Sequence, residues 1–175
     1  MTPRRQQILD VAAELFAARG SRGVSMHDIG TACGISGPAI YKHFAGKDEL
    51  LTHTLLDISQ HLLTGGRERA GDLDALIGFH IEFALTHPAL IVVQEREWSQ
   101  LAPEGRAAVR RLQLDYIDVW VDALRARRPE LDRATARSAV QATFGLLNST
   151  PHSARIGDSA MRELLGRMAR SGLLD

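Results

Sequence analysis

Residues 34–44 read Gly34-Ile35-Ser36-Gly37-Pro38-Ala39-Ile40-Tyr41-Lys42-His43-Phe44. Gly34 suits a bend, Ser36 is a hydroxyl at an N-cap position, and Pro38 falls in a first turn, where its fixed φ suits helix entry. The spacing predicts a short helix that opens at Ser36 on small residues and ends on Tyr41, Lys42 and His43. Upstream, Ser25 and Asp28 stand in capping-box register, with Met26, Ile29 and Cys33 following at helical spacing. Two short helices joined by a glycine-containing turn make a helix-turn-helix. Small residues at Ser36, Gly37, Pro38 and Ala39 let the backbone approach base edges in a DNA major groove, and Tyr41, Lys42 and His43 supply groups for phosphates and bases. Lys47 opens the next helix, where its ammonium and the free amides of the helix end suit flanking phosphates.

Outward from this stretch the chain reads as helix throughout. Thr2-Pro3 opens a first helix, Ile8, Leu9, Ala12, Leu15 and Phe16 give it an apolar face, and Gly20 stops it. The helix starting at Gly46-Lys47-Asp48-Glu49 carries Leu50, Leu51, Leu55, Ile58, Leu62 and Leu63, and Gly65-Gly66 closes its strong signal. Longer helices are then expected over roughly 72–86, 88–101, 103–128, 132–149 and 157–171, punctuated by His87-Pro88, Ala102-Pro103 and Arg128-Pro129. No strand alternation, repeat or low-complexity tract is found. The fold class is all-α: an N-terminal helix-turn-helix module of three helices over 1–46, and a connecting helix with a larger bundle over 47–175.

Composition agrees. Of 175 residues, 45% are hydrophobic and 24% charged, while aromatics are only 5%, which favours helix-on-helix packing over a β-sandwich. The 21 basic and 21 acidic residues cancel, which speaks against coating nucleic acid by bulk charge and leaves affinity to placement. Residues 1–55 hold six basic and five acidic side chains. Arg4 and Arg5, ahead of the first helix, read equally as phosphate or minor-groove contacts and as a loose terminal pair. A single cysteine, Cys33, excludes an intrachain disulfide framework and fits a reducing compartment. With neither an apolar leader nor a membrane-length apolar run, the expected location is cytoplasmic.

The segments "ILDVAAELFAARG" and "GISGPAIYKHFAGKDELL" closely resemble the DNA-binding domain of TetR-family transcriptional regulators, over roughly residues 5–52. The resemblance implies a TetR-like fold of about nine helices. It places Ser25 and His27 near the phosphate backbone, and Gly37, Pro38 and Lys42 on the groove-facing side. It gives the DNA backbone to Tyr41, His43 and Lys47, and the core to Phe44. Two positions depart from the pattern. Gly30 replaces the usual alanine where two helices cross, which is expected to loosen the module. Gly37-Pro38 leaves few side chains for base contacts, so discrimination falls to Lys42 and DNA shape. The resemblance further implies a homodimer, a small-molecule effector and, as is usual in the family, repression.

A two-fold dimer would read half-sites of a palindromic operator ~34 Å or a multiple apart. Apolar stripes at Ala139, Val140, Thr143 and Leu147, and at Met161, Leu164, Leu165 and Met168, are the candidate dimer face. Phe79, His80, Phe83, Val92, Arg96, Trp98, Tyr116, Trp120, Phe144 and Asn148, apolar or aromatic residues with isolated polar groups, are the candidate effector site. Its mostly apolar character suits a hydrophobic or amphipathic ligand such as an acyl thioester or a lipid-derived metabolite. The ligand would favour a conformer whose recognition helices no longer match the operator, a coupling typically worth about 1–3 kcal/mol. The helix from Lys47 to about Leu63 is the link.

An enzyme is disfavoured, because the sequence has no phosphate-binding glycine loop, nucleophile elbow or pair of Glu-x-x-His motifs. The alternatives are a helical interaction protein and a metal-responsive sensor. The second is weakened by seven scattered histidines without a His-x-x-x-His pair. No cofactor is expected.

Overall fold

The structure, a computed structural model, describes residues 2–175. Ten α-helical segments follow in order, with no strand among the described residues: α1 Pro3–Arg19, α2 Met26–Ala32, α3 Gly37–Ile40, α4 Lys47–Arg67, α5 Leu73–Thr86, α6 Pro88–Glu97, α7 Pro103–Arg127, α8 Arg133–Leu147, the single turn α9 Thr150–Ser153, and α10 Asp158–Leu174. Their starts follow local chemistry. The Thr2 hydroxyl accepts from the Arg5 amide, Asp72 from Ala75, and Asp132 from Thr135, each satisfying an amide the helix leaves free. Ser25 and Asp28 form the reciprocal capping box.

By packing, the chain divides into two compact units that do not follow sequence order. One runs up to Ser59 and takes in Ala89–Arg110; the other is Gln60–Pro88 with Arg111–Asp175. In the first, Ile8, Phe16, Ile29, Ile40, Phe44 and Leu50 are almost fully enclosed. Glu97, at the end of α6, is buried, and its carboxylate accepts from both the amide (2.8 Å) and the hydroxyl of Ser21. In the second unit, α10 packs on α5 and α8 around Leu76, Ile77, Trp120, Val140, Leu147 and Leu165. Its surface carries Arg127 and Arg170 on Asp74, and Arg133 and Arg137 on Asp118, exposed pairs that each contribute little stability.

Several expectations need correction. Gly65-Gly66 does not end α4, which runs to Arg67. The two glycines leave α4 bare where the rings of Phe79 and Tyr116 lie against its backbone. Arg4 and Arg5 belong to α1. Arg5 stacks over Phe44 at 4.0 Å, donates to the His43 carbonyl and pairs with Glu49, so it is a clasp of the module and not a loose arm. Ser36 occupies the N-cap of α3 in extended conformation, but its hydroxyl makes no capping bond. Of the dimer candidates, Val140, Thr143, Leu147, Met161 and Leu165 are buried within their own unit. Ala139 and Leu164 are half-buried, and Met168 remains 46% exposed. An apolar stripe shows that a face is covered without showing by what; here α5 and the other stripe cover most of it.

Candidate functional site

The helix-turn-helix is built from its turn outward. Gly34 adopts φ 68°, a left-handed conformation open to glycine at no steric cost, and the Ile35 amide bonds back to the Gly30 carbonyl at 2.9 Å. A Cβ on Gly30 would stand 3.3 Å from the Ile35 carbonyl oxygen. The glycine therefore permits close approach of α2 and α3, contrary to the loosening expected of it. Ile29, Ile40 and Phe44 seal the inner side. Outside, Tyr41 is 56% exposed, His27, Ser36, Pro38 and Lys42 are exposed, and Gly37, Ala39 and His43 are half-buried. A Cβ on Gly37 would meet His27 Nδ1 at 3.3 Å, so His27 and the first turn of α3 are neighbours. Ser25 is exposed, but its hydroxyl serves the capping box, which holds the Asp28 carboxyl below the usual carboxylate range. The Lys47 ammonium donates to the Val24 carbonyl at 3.2 Å. Sequence candidates at 25, 27, 36–39, 41–43 and 47 thus belong to one small module, with Ser25, His27, Ser36, Tyr41 and Lys42 exposed on it.

A second constellation lies in the unit formed by 60–88 and 111–175. His80 on α5 is buried. Its Nε2 lies 3.0 Å from Asn148 Oδ1 and its Nδ1 3.1 Å from the Tyr116 hydroxyl. Asn148 presents an acceptor, so Nε2 carries the proton and Nδ1 accepts from Tyr116. The imidazole stacks on Phe144 at 4.7 Å and on Tyr116 at 5.9 Å, and Trp120 stands perpendicular to Phe144 at 4.9 Å. Phe79 and Phe83 extend the aromatic surface through His61, which sequence reasoning passed over; its α4 position opposite α5 was the missing signal. Burial, opposed by the Asn148 hydrogen bond, lowers the His80 pKa from 6.5 to about 4, and burial likewise raises that of the Tyr116 phenol.

The linkage has a testable sign. The unfolded chain protonates His80 near pH 6.5 and the folded chain only near 4, so between those values the unfolded state binds more protons. Stability is expected to fall as pH drops through that window, with no contribution from this group above it. Urea midpoints across the window check this, and His80→Gln should flatten the slope.

Three effector candidates, Val92, Arg96 and Trp98, belong to the first unit instead. Val92 and Trp98 are half-buried there, while Arg96 is exposed and donates to the Ala17 carbonyl at 2.9 Å. It tethers the end of α1, contrary to the inward ligand contact considered for it. Glu97, which sequence reasoning had not singled out, is the buried charge of that run. Among the described residues no group of three or more His, Cys, Asp or Glu side chains is placed to hold a metal ion, and no single helix is long and apolar enough to cross a membrane.

Residues 8–54 match the model of bacterial regulatory proteins of the tetR family, and residues 67–152 match a tetracyclin repressor-like C-terminal domain. The transcriptional repressor KstR2 of Mycobacterium tuberculosis is 30% identical, over 74% of this chain and 72% of that protein. The chain belongs to the TetR family. KstR2 of Rhodococcus jostii is also 30% identical, over 70% of this chain and 64% of its own length, slightly under two thirds. TetR-family structures share the fold. A regulator from Bordetella parapertussis superposes with TM-score 0.84 at 24% identity, covering 97% of this chain and 95% of that one. AibR, solved with isovaleryl coenzyme A and operator DNA, gives 0.76 at 20% identity, covering 94% and 97%. FadR of Bacillus subtilis, solved with stearoyl-CoA, gives 0.75 at 19% identity, covering 95% and 98%. The relatives named here are transcriptional regulators, and none of these matches points to a catalytic family.

Proposed function

We propose that the chain is a homodimeric, cytoplasmic repressor that binds a palindromic operator through residues 1–46 and leaves it when a hydrophobic or amphipathic small molecule occupies the His80 cluster. The observation that carries the DNA reading is the outward side of α3 and the turn that ends it: Tyr41 and Lys42, just past Ile40, are open to solvent beside a first turn of small residues, on a module whose inner face is sealed. Tyr41, His43 and Lys47 take phosphates, with Ser25 and His27 beside them. Ser36, Gly37, Pro38 and Ala39 admit the backbone to the groove, and Lys42 reads bases. The named repressors and the operator complex of AibR support this reading, as the acyl-CoA complexes support an effector site at Phe79, His80, Phe83, Tyr116, Trp120, Phe144 and Asn148. For the dimer, the accessible part of the candidate face is Met168, with Ala139 and Leu164 at its margin.

The test is a gel shift with DNA flanking the coding sequence. A specific shift that weakens steeply with salt is expected. Lys42→Ala should lower operator affinity about tenfold and narrow the gap to unrelated DNA, whereas Lys47→Ala should weaken all sequences about equally. Undiminished discrimination in Lys42→Ala would remove Lys42 from the reading head. A solution mass fixed at one chain, even with operator present, would remove the dimer.

A further inference from the structure

We propose that Arg5 and Glu49 are positioning residues for operator recognition: they grip the three residues that follow Lys42, so fixing the direction of Tyr41 and Lys42, and neither meets DNA itself. This rests on the reading of α3 and its closing turn as the DNA probe. That probe has little backbone bonding of its own. α3 is four residues long, and Tyr41–Gly46 lie outside any helix until α4 begins at Lys47. One hydrogen-bonded turn is a poor anchor by itself.

The anchor comes from α1 and α4. The Arg5 guanidinium donates to the His43 carbonyl and lies 4.0 Å from the centre of the Phe44 ring. Glu49, in the first turn of α4, accepts from the Ala45 amide at 2.6 Å. His53, one turn along α4, stands 3.6 Å from Glu49 and edge-on to Phe44 at 5.8 Å. The carbonyl of residue 43, the ring of residue 44 and the amide of residue 45 are thus each held, and an Arg5–Glu49 pair at 3.6 Å closes the circuit. That pair is partly exposed and adds little alone. The strength lies in the charge-assisted bonds to the backbone and in the stacked guanidinium. Neither charge fits a direct role on DNA. Both terminal nitrogens and one face of Arg5 are already engaged, so a phosphate would have to displace them. Glu49 would repel DNA by charge alone. Asp48, exposed beside it, makes none of these contacts and is the matched control, because its loss takes the same charge from the same turn.

Anisotropy titrations test this, with operator taken from DNA flanking the coding sequence and with unrelated duplex of equal length, each over a salt series and below the melting range of every variant. Asp48→Ala should bind both duplexes as tightly as wild type or more so. Glu49→Ala should lose about tenfold on operator and nothing on unrelated DNA, a sign opposite to the electrostatic one. Arg5→Ala should lose about as much on operator with its salt slope unchanged, and the double variant should lose no more than the worse single one, since the two act as a unit. An equal loss on both duplexes by Arg5→Ala, with the slope lower by about 1 per subunit, makes Arg5 a phosphate ligand and overturns the proposal. So do a Glu49→Ala that follows Asp48→Ala, additive losses in the double variant, and melting temperatures that fall while the ratio of operator to unrelated affinity stays at the wild-type value, which would make the clasp structural only. Wild-type protein that gives no specific shift fails the α3 reading and the proposal with it, a result distinct from discrimination that survives in both wild type and Glu49→Ala.

Discussion

Glu97→Leu is expected to melt the first unit about 10 °C below wild type. The carboxylate receives two hydrogen bonds from Ser21, from its amide at 2.8 Å and from its hydroxyl, and both residues are about 5% exposed. Hydrogen bonds to a charged group are worth about 1.5–3 kcal/mol each, and a leucine would leave the Ser21 amide buried and unpaired, so a loss of about 3–4 kcal/mol follows. Gly20 turns the chain at φ 70° immediately before Ser21, which leaves that amide no helical carbonyl to fall back on. Glu97→Gln keeps the shape and one acceptor and should lose about half as much. Scanning calorimetry of both variants decides it. A leucine variant that melts with wild type would mean that the end of α6 is held by Arg96 on Ala17 and by apolar packing alone.

Gly66→Ala should destabilise the second unit by about 2 kcal/mol, against what helix propensity alone would give. Alanine in place of a helical glycine gains about 1 kcal/mol. Here the added methyl would lie 2.5 Å from Tyr116 Cε2 and 2.7 Å from its Cδ2. That ring is 3% exposed, bonded to His80 and stacked on His80 and Phe144, so it yields only by breaking the cluster. Overpacking of this kind costs about 1–3 kcal/mol, and the lost hydrogen bond about 1 more. The melting temperature should fall by about 5 °C, and operator release by effector should fail with it. Gly78→Ala, a helical glycine with nothing within 4 Å of the added carbon, is the control and should be neutral or stabilising.

These two sites also mark where the sequence stopped being informative. Helix positions were legible because caps and breakers are local: Thr2, Ser25, Asp72 and Asp132 each satisfy an amide three residues on, and Gly34 takes the positive φ its place in the turn required. The outward Tyr41 and Lys42 were legible for the same reason. What failed was long-range. Gly65-Gly66 reads as a stop unless one knows that Phe79 and Tyr116 come to lie on it. Val140, Leu147 and Leu165 read as a partner-facing stripe unless one knows how α5, α8 and α10 cover one another. Arg96 was read as an effector contact, and nothing local reveals that Ser21, 76 residues away, claims the acid beside it, Glu97. His80, Tyr116, Trp120, Phe144 and Asn148 were named from residue type alone, while Val92, Arg96 and Trp98, chosen by the same rule, belong elsewhere.

The chain has two tryptophans, and they fall one in each compact unit. Trp98 is half-buried, one residue past Glu97, and Trp120 is sealed among rings. The protein thus comes with two intrinsic fluorophores in different surroundings. Aqueous iodide should quench the first and spare the second, so each half of the molecule can be watched by its own emission without attaching a dye.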